Sequence, residues 1–475
     1  MSSKRLFQLI FTLVSVQLFG GCASQPVLVE RPEASSGAIL FRDVRVLDVA
    51  TGSLSAPAGV LIEGEWIARI DAAGSLIAPA RSRIVDGGGA TLLPGLIDTH
   101  GHIYANPAPT WDLAPPTPER NLESYLYCGV TTVMDPSDGS GDTFSRRDRI
   151  AAGELLGPRA FVSGHALTAS GGHPIAMIRV AAPRWLRWYL EPRTARQVSS
   201  PEDAREAVAS LAQSGADFIK IVIDDLPPGA PTFDEGIARE IVAAAASRGL
   251  RTVAHIGSTE EARIAARAGA AAWVHGVYTE RIPDEAIAEL ADFGIPMVAT
   301  LYVFESYATL LEAKRVATPL ERQTAPAELL ASFNQIPEDS NLLPHFEGWL
   351  SVLRANRAHA RDNVRRLRAA GVTILAGSDT QPGVFPGPGL HRELSLLTEA
   401  GLSNGDAIRA ATLDPARFLT QKDDPEFGSV AVGKRADLLL VDGDPLEDLA
   451  VLSRIRHVVL GGVLLERSRL TNSGR

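Results

Sequence analysis

Eight short apolar runs that alternate with helix-like segments constrain the fold of this chain more than any other feature. The runs begin near Leu92 and read TLLPGLIDTH, GVTTVMD, RAFVSGH, ADFIKIVI, RTVAHI, AAWVHG, IPMVAT and VTILAGSD. The segments between them carry helix-end signals, such as Ser200 and Pro201 before one segment and Gly215 after it. Eight strand–helix units predict an α/β fold, specifically a (β/α)8 TIM-like barrel. An open doubly wound sheet is the alternative, although no G-x-G-x-x-G follows an early strand.

Strand-like segments at both ends of the chain predict a second, smaller unit. AILFRDVRVLD and GVLIEGEWIARID precede the eight runs, and KRADLLLVDGD and IRHVVLGGVLLE follow them. Alternating apolar and polar residues are typical of half-buried strands. We therefore predict a small β-sandwich domain built from both termini, over residues 39–93 plus 426–467, and a (β/α)8 barrel over residues 94–425. Residues 300–371, between the last two runs, are too long for one loop and one helix and predict extra helical structure.

The first 22 residues predict export. A short basic stretch precedes an apolar run over residues 6–19, which is too short to span a bilayer comfortably, and small residues precede Cys22. This order predicts a signal peptide with a lipobox over residues 1–22, a linker over 23–38 and a periplasmic lipoprotein of the outer membrane. Secretion with plain cleavage nearby is the alternative. The remaining cysteine, Cys128, is expected to be a small core residue.

Charge and length restrict the partners of the chain. Its 46 Lys and Arg residues against 56 Asp and Glu residues give a formal net charge of −10. Nucleic-acid binding needs clustered Lys and Arg, and the body of the chain has no long basic run. We expect a small-molecule substrate, no nucleic acid, and a membrane contact through the N-terminal lipid anchor only. The sequence leaves the oligomeric state open.

Residues of metal-ligand type stand at or near the ends of five of the eight runs. They are His100, His102, Lys220, His255, His275 and Asp379. The C-terminal ends of barrel strands meet at one face, so these side chains are expected to converge. Residues two apart in an extended chain point to the same side, which lets the first two imidazoles share one divalent ion. A single histidine at a strand end is usually structural, but six such residues predict a metal site.

Lys220 needs a separate explanation because it stands among apolar neighbours in ADFIKIVIDD. Burial of an ammonium group lowers its pKa. A neutral amine can add carbon dioxide and become a carbamate, whose two oxygens can bridge two metals. The alternative is a lysine paired with Asp224 or Asp225.

Several of these motifs together resemble a known family. PGLIDTHGH, FIKI, VAH, VHG and AGSDT, in this order, and the tail FGSVAVGKRADLLLVDGDPLED are similar to the metal-dependent amidohydrolase superfamily. The resemblance extends from about Ile39 to Glu466. Within the superfamily the chain most resembles binuclear members near the imidazolonepropionase-like and Xaa-Pro-type dipeptidase group.

The resemblance implies two divalent metal ions, with zinc as the expected element. It assigns the metal ligands to two sets: His100, His102 and Asp379 to one ion, and His255 and His275 to the other. It also implies that carboxylated Lys220 bridges the two ions together with a hydroxide. SGGHP, after the third run, resembles a family element near the substrate and points to His173. Apart from the resemblance, Tyr278, three residues after His275, is a second candidate for contact with a substrate carboxylate or oxyanion, and simple packing of the loop is the alternative.

This site predicts a hydrolase. Two bound cations lower the pKa of a bridging water and polarise a carbonyl oxygen. Asp379 is the expected catalytic residue, because it can take the proton from the water and pass it to the leaving group. We expect cleavage of a C–N bond in an amide or cyclic amide, with a dipeptide or an N-acyl amino acid as the narrower expectation.

Three alternatives remain. A lactonase or esterase would use the same site on a C–O bond. A mononuclear, deaminase-like member would not require Lys220. A surface-binding lipoprotein without activity would not be expected to keep all six ligand positions filled.

Overall fold

The computed structural model describes residues 27–32, 37–112, 115–309, 314–336 and 347–468. The signal peptide and lipobox expected over residues 1–22 lie outside these residues. In the part of the chain described, no helix is both long enough and apolar enough to cross a bilayer.

The strands, numbered in chain order, are β1 (Val29–Glu30), β2 (Ile39–Asp48), β3 (Ser53–Leu54), β4 (Ala58–Glu63), β5 (Trp66–Ala72), β6 (Arg83–Asp86), β7 (Thr91–Pro94), β8 (Leu96–Asp98), β9 (Val130–Asp135), β10 (Arg159–Val162), β11 (Leu167–Ala169), β12 (Arg196–Val198), β13 (Ile219–Val222), β14 (Thr252–His255), β15 (Ala272–Val274), β16 (Met297–Val298), β17 (Ile374–Leu375), β18 (Leu438–Val441), β19 (Ile455–Leu460), β20 (Val463–Leu464) and β21 (Glu466–Arg467).

The helices are α1 (Pro118–Tyr127), α2 (Thr143–Ala151), α3 (Ile175–Ala181), α4 (Arg184–Thr194), α5 (Pro201–Gln213), α6 (Glu235–Ala246), α7 (Thr259–Ala268), α8 (Asp284–Asp292), α9 (Leu301–Thr309), α10 (Pro319–Thr324), α11 (Ala327–Ser332), α12 (Glu347–Ala369), α13 (Pro388–Glu399), α14 (Asn404–Ala410) and α15 (Leu413–Thr420), with a 3-10 helix over Leu449–Ser453.

Parallel strands form the larger part of the structure, and each of the eight predicted runs contains one. β10, β9 and β8 form a three-stranded sheet, and β12, β11, β13, β14, β15, β16 and β17 form a seven-stranded sheet. Backbone hydrogen bonds join both edge strands of the three-stranded sheet to the seven-stranded sheet: Asp217 N, just before β13, donates to Val162 O at 2.9 Å, and Thr99 N donates to Ala376 O at 3.0 Å. The predicted α/β fold is confirmed. β11 and β12, of three residues each, were not predicted because their runs are too short to show a period.

Helices fill the intervals between these strands where the end signals predicted them. α5 begins at Pro201, the Ser200 hydroxyl accepts a hydrogen bond from Asp203 N at 3.1 Å, and Gly215 follows its end with a φ of 91°. Such a cap satisfies an amide that the first turn leaves without a partner. The predicted extra helical structure within residues 300–371 is also present, as α9 to α12. Cys128 is fully buried, as expected.

The strands from both ends of the chain form one sheet, in the order β20-β19-β18-β7-β2-β4-β5 with β3 and β6 also on β2. We expected a sandwich of two sheets. β2 is long enough to pair with β4 and β6 in its first half and with β7 in its second half, so the sheet is continuous. It curls around one core, to which Phe41, Val60, Leu92 and Leu438 contribute. The two expected layers are therefore two halves of a single sheet.

Residues 27–32 differ from the linker predicted over residues 23–38. β1 pairs with β21, and Leu28 is fully buried. Leu28 N donates to Glu123 Oε2 at 3.0 Å, and Ser468 N donates to Leu28 O at 2.8 Å. The physical reason is that burial of the apolar side chains of Leu28 and Val29 is more favourable in free energy than their exposure to water in a linker.

Candidate metal centre

The ends of the parallel strands bring the six predicted ligand residues to one cavity. β8 leads to His100 and His102, β13 carries Lys220, and β14, β15 and β17 lead to the other three, His255, His275 and Asp379. The cavity has a volume of about 600 Å³, and all six residues line it. This volume is within the range of small-molecule sites in proteins.

Asp379 lies between the histidines from different strands. Its Oδ1 is 3.2 Å from His102 Nε2 and 3.5 Å from His100 Nε2, and its Oδ2 is 3.9 Å from His275 Nδ1. Asp379 and His275 both have a left-handed backbone, with φ values of 52° and 74°. This conformation costs a non-glycine residue about 1–3 kcal/mol and is found where the surrounding structure enforces it. The fold thus holds these two side chains at a local cost in stability.

His255 and His275 form a second group. His255 Nδ1 is 3.1 Å from His275 Nε2, and the two ring centroids are 4.0 Å apart. The outer nitrogens of the pair have other partners: His255 Nε2 is 2.9 Å from Asp224 Oδ2, and His275 Nδ1 is 2.6 Å from Thr300 Oγ1. One nitrogen of each ring therefore faces the other ring and the cavity.

Lys220 is buried, with 3% of its surface exposed. Among the residues that the structure describes, it has no hydrogen bond and no carboxylate within 4.0 Å. Burial lowers the pKa of its ammonium group to about 7. The alternative partner Asp224 instead contacts His255 and Tyr278, and Asp225 accepts from Gly229 N at 3.0 Å. Among the described contacts, the structure therefore does not show the alternative, an ion pair between Lys220 and Asp224 or Asp225.

The donor set fits divalent cations. Burial, followed by neighbouring positive groups, lowers the pKa values of His100, His255 and His275 well below the usual value, so these imidazoles are neutral. Nδ1 of His100 is buried without a hydrogen-bond partner among the described residues. Ligand atoms of His100, His275 and Asp379 lie within 4.8 Å of one another. Neutral imidazole nitrogens with carboxylate oxygens are typical ligands of zinc.

His102 is the exception among the histidines. Burial opposes its protonation, but hydrogen bonds and charge from Asp135 and Asp379 raise its pKa to about 10. A cation that binds there displaces this proton, so binding releases it to solvent. Asp135 is fully buried at the end of β9, and its Oδ1 is 3.4 Å from His102 Nδ1. Asp135 was not predicted as a residue of this site, although its position at the end of the second apolar run resembles that of the predicted ligands.

The two predicted substrate contacts lie in different places. His173 lines the cavity, its ring centroid is 5.1 Å from that of His255, and burial together with His255 lowers its pKa to about 3. Tyr278 is buried, with 2% of its surface exposed, and does not line this cavity. Its ring stacks on Phe304 at 3.9 Å, and its hydroxyl donates to Asp224. The Tyr278 ring therefore packs against Phe304 outside the lining of this cavity, as the alternative of loop packing predicts.

An apolar wall completes the cavity. Met177, Leu226, Val303, Phe304, Tyr307 and Trp349 contribute to it. Three of these residues lie on α9, whose first amides are held by the buried carboxylate of Glu393: Leu301 N donates to it at 3.0 Å and Tyr302 N at 2.7 Å. The cavity can therefore take a substrate with a sizeable apolar group.

Gly377 is expected to be necessary for the position of His100. A Cβ atom at Gly377 would lie 2.6 Å from Val298 Cγ1, 2.7 Å from His100 Cβ and 2.9 Å from His100 N. We expect Gly377→Ala to lower the free energy of unfolding by about 1–3 kcal/mol, the usual cost of overpacking, and to weaken cation binding. Gly348→Ala is the control, because a Cβ there meets nothing within 4 Å. Equal melting temperatures and cation affinities of the two variants would contradict this expectation.

Comparisons with known proteins agree with this site. An ochratoxinase of Aspergillus niger is 26% identical in an alignment of 404 positions, which covers 79% of this chain and 75% of that protein. An adenine deaminase of Klebsiella pneumoniae subsp. pneumoniae is 27% identical in an alignment of 434 positions, which covers 90% of this chain and 56% of that protein. The solved structure of a prolidase complexed with N-methylphosphonate-L-proline is 25% identical, with a TM-score of 0.72, and the match covers 91% of this chain and 100% of that one.

The model of the amidohydrolase family matches residues 91–465, which include all six candidate ligands. This match covers well over half of the chain and agrees with the resemblance seen in the motifs. The chain therefore belongs to the amidohydrolase family and is a hydrolase.

Proposed function

We propose that this chain hydrolyses an amide bond with the help of two divalent cations. The observation that carries the proposal is the convergence of six nitrogen and oxygen donors on one cavity, among which Lys220 has no carboxylate of the described residues within 4.0 Å. We assign His100, His102 and Asp379 to one cation, expected to be zinc, and His255 and His275 to the other. We also propose that the two parallel sheets close into a (β/α)8 barrel, which the hydrogen bonds between the two sheets support.

Carboxylation of Lys220 would provide the bridge between the two cations. A buried amine with a pKa of about 7 is about half neutral near pH 7, and the neutral amine can add carbon dioxide with release of one proton. The resulting carbamate is an anion, which would offset the positive charge of two ions in a buried site. This chemistry accounts for a lysine that is buried without a hydrogen bond to any residue that the structure describes.

The remaining steps are divided between the bound cations and two residues of the chain, Asp379 and His173. Bound cations would lower the pKa of a water and polarise the substrate carbonyl. Asp379, whose Oδ1 lies 3.2 Å from His102 Nε2, is placed to take a proton from the attacking water and to pass it to the leaving nitrogen. His173, a neutral imidazole on the cavity wall, would orient the substrate by a hydrogen bond.

The cavity favours an amide that carries an apolar group, as in a dipeptide or an N-acyl amino acid. A volume of about 600 Å³ and the apolar wall support this substrate class. The relatives named as a prolidase and an ochratoxinase are consistent with it. The adenine deaminase supports a second candidate function, deamination at one cation.

A hydrolysis panel tests the proposal. Protein purified without chelator and supplied with zinc is incubated with dipeptides that include Xaa-Pro, N-acyl amino acids, cyclic amides, lactones and adenine. We expect turnover of at least one amide class, lowered about 100- to 10,000-fold in the Asp379→Asn variant prepared in parallel. Turnover of lactones alone would replace the proposal by the lactonase alternative, and turnover of adenine alone by the deaminase alternative. No turnover by protein that holds two cations would favour a binding protein.

We also propose that the protein is exported and anchored to the outer membrane by lipid on Cys22. The support is the order of basic, apolar and small residues before this cysteine. Fractionation of cells, with detection of the full chain, tests the proposal. Recovery of wild type in the membrane fraction is expected, and recovery in the cytoplasm would contradict it.

A further inference from the structure

A buried carboxylate behind the second pair of histidines has no part in the proposed chemistry. Asp224 lies two residues after β13 and has 2% of its surface exposed. Its Oδ2 lies 2.9 Å from His255 Nε2 and accepts a hydrogen bond from the Tyr278 hydroxyl. This one oxygen therefore joins a candidate metal ligand to a side chain outside the cavity.

The contact with Asp224 decides which nitrogen of His255 can bind a cation. A carboxylate accepts hydrogen bonds, so His255 Nε2 carries the proton and Nδ1 keeps its lone pair. Nδ1 is the atom that lies 3.1 Å from His275 Nε2. Thr300 Oγ1, at 2.6 Å from His275 Nδ1, can fix the other ring in the same way. The two nitrogens that keep their lone pairs, His255 Nδ1 and His275 Nε2, are then the two that lie 3.1 Å apart.

Tyr278 holds the carboxylate of Asp224 in place. The tyrosine ring is fixed by stacking on Phe304, with centroids 3.9 Å apart. Gly257 leaves the space for this pair: a Cβ atom there would lie 2.8 Å from Tyr278 Cε1 and 3.1 Å from Asp224 Oδ2. The chain thus places a glycine where any larger residue would displace the tyrosine or the carboxylate.

We propose that Asp224 is a positioning residue that, held by Tyr278, fixes His255 in the tautomer that presents Nδ1 to a divalent cation. The inference rests on the proposed function. Loss of a hydrogen-bond partner of a metal-bound histidine typically weakens metal affinity about 10–100-fold. The effect should be confined to the cation at His255 and His275, because Asp224 contacts neither His100 nor His102 among the contacts described.

The test is a chelator titration of zinc-loaded protein, which measures the affinity of each of the two cations, together with the melting temperature of the metal-free protein. Asp224→Asn is compared with Asp225→Asn. In the contacts described, the Asp225 carboxylate accepts a hydrogen bond only from the backbone amide of Gly229. We expect Asp224→Asn to weaken the affinity for the cation at His255 and His275 about 10–100-fold and to leave the affinity for the other cation within about twofold of wild type. We expect both affinities of Asp225→Asn to match wild type. Should Asp224→Asn not fold, the smaller Asp224→Ser replaces it with the same expectation.

Tyr278→Phe separates positioning from mere stability. It removes the hydrogen bond between Tyr278 and Asp224 but leaves the carboxylate on His255, so we expect a smaller loss of affinity than in Asp224→Asn. If the zinc affinity of Asp224→Asn at this site were within twofold of wild type, the inference would be overturned while the proposed function would stand. The same would follow if Tyr278→Phe and Asp224→Asn lost equal amounts of zinc affinity. Wild-type protein that binds no second cation would overturn the proposed function as well.

Discussion

Lys220→Ala is expected to fold, to retain fewer than two divalent cations and to hydrolyse amide substrates at least about 100-fold more slowly, because loss of a bridging ligand should cost at least as much as loss of an outer partner of a metal ligand. The physical reason is the position of this lysine, buried in the cavity with no carboxylate of the described residues within 4.0 Å. A carbamate there would bridge two cations, and alanine leaves both without that negative charge. We expect the cation at His255 and His275 to be lost first.

Two controls distinguish this role from packing. Lys220→Met keeps most of the side-chain volume but cannot be carboxylated, so it should lose cations as Lys220→Ala does. Short carboxylic acids such as acetate should partly restore the rate of Lys220→Ala, because they can enter the vacated space. A lysine that served only in packing would lower the melting temperature and leave cation content unchanged. Two retained cations with near-normal turnover in Lys220→Ala would refute the bridging role.

Asp379→Asn is expected to lower kcat by about 100- to 10,000-fold, the range typical for loss of a general acid–base group. The amide oxygen of asparagine can still contact a cation, but the amide cannot take a proton from water. The backbone of residue 379 is left-handed, with a φ of 52°, and asparagine tolerates this conformation better than most residues. Folding should therefore be retained.

The measurement for Asp379→Asn is kcat for the best amide substrate, with cation content determined on the same sample. Cation content near that of wild type with a large loss in kcat is the expected combination. A kcat within tenfold of wild type would remove Asp379 from the proton transfer. Loss of cations in proportion to activity would reduce its role to that of a ligand.

The strand ends explain why the convergence of the six candidate ligands on one cavity could be predicted from the sequence. Each ligand follows or lies in an apolar run long enough to read as a strand, and parallel strands place those ends together. His100 and His102, for example, come directly after β8 and lie on the cavity wall. All six residues lie in one cavity because their strands are neighbours in parallel sheets. The alternation of apolar runs and helix-like segments predicted these strands.

Other features depend on contacts that a single sequence does not reveal. Asp135 and Asp224 could each cap a helix or end a turn, and only the distances to His102 and His255 show what they contact. The side chain of Tyr278 was a candidate for substrate contact, but its direction depends on packing against Phe304. The continuous nine-stranded sheet depends on the pairing register of β2, which two apolar faces leave open.

The dependence of amide hydrolysis on cation number tests the account most directly. Wild-type protein is stripped of cations with a chelator and then titrated with zinc, while bound zinc per chain and turnover are measured on the same samples. The account predicts that turnover is absent in stripped protein, remains low up to one zinc per chain and is complete at two. Full turnover at one zinc per chain, or in protein without any divalent cation, would contradict it.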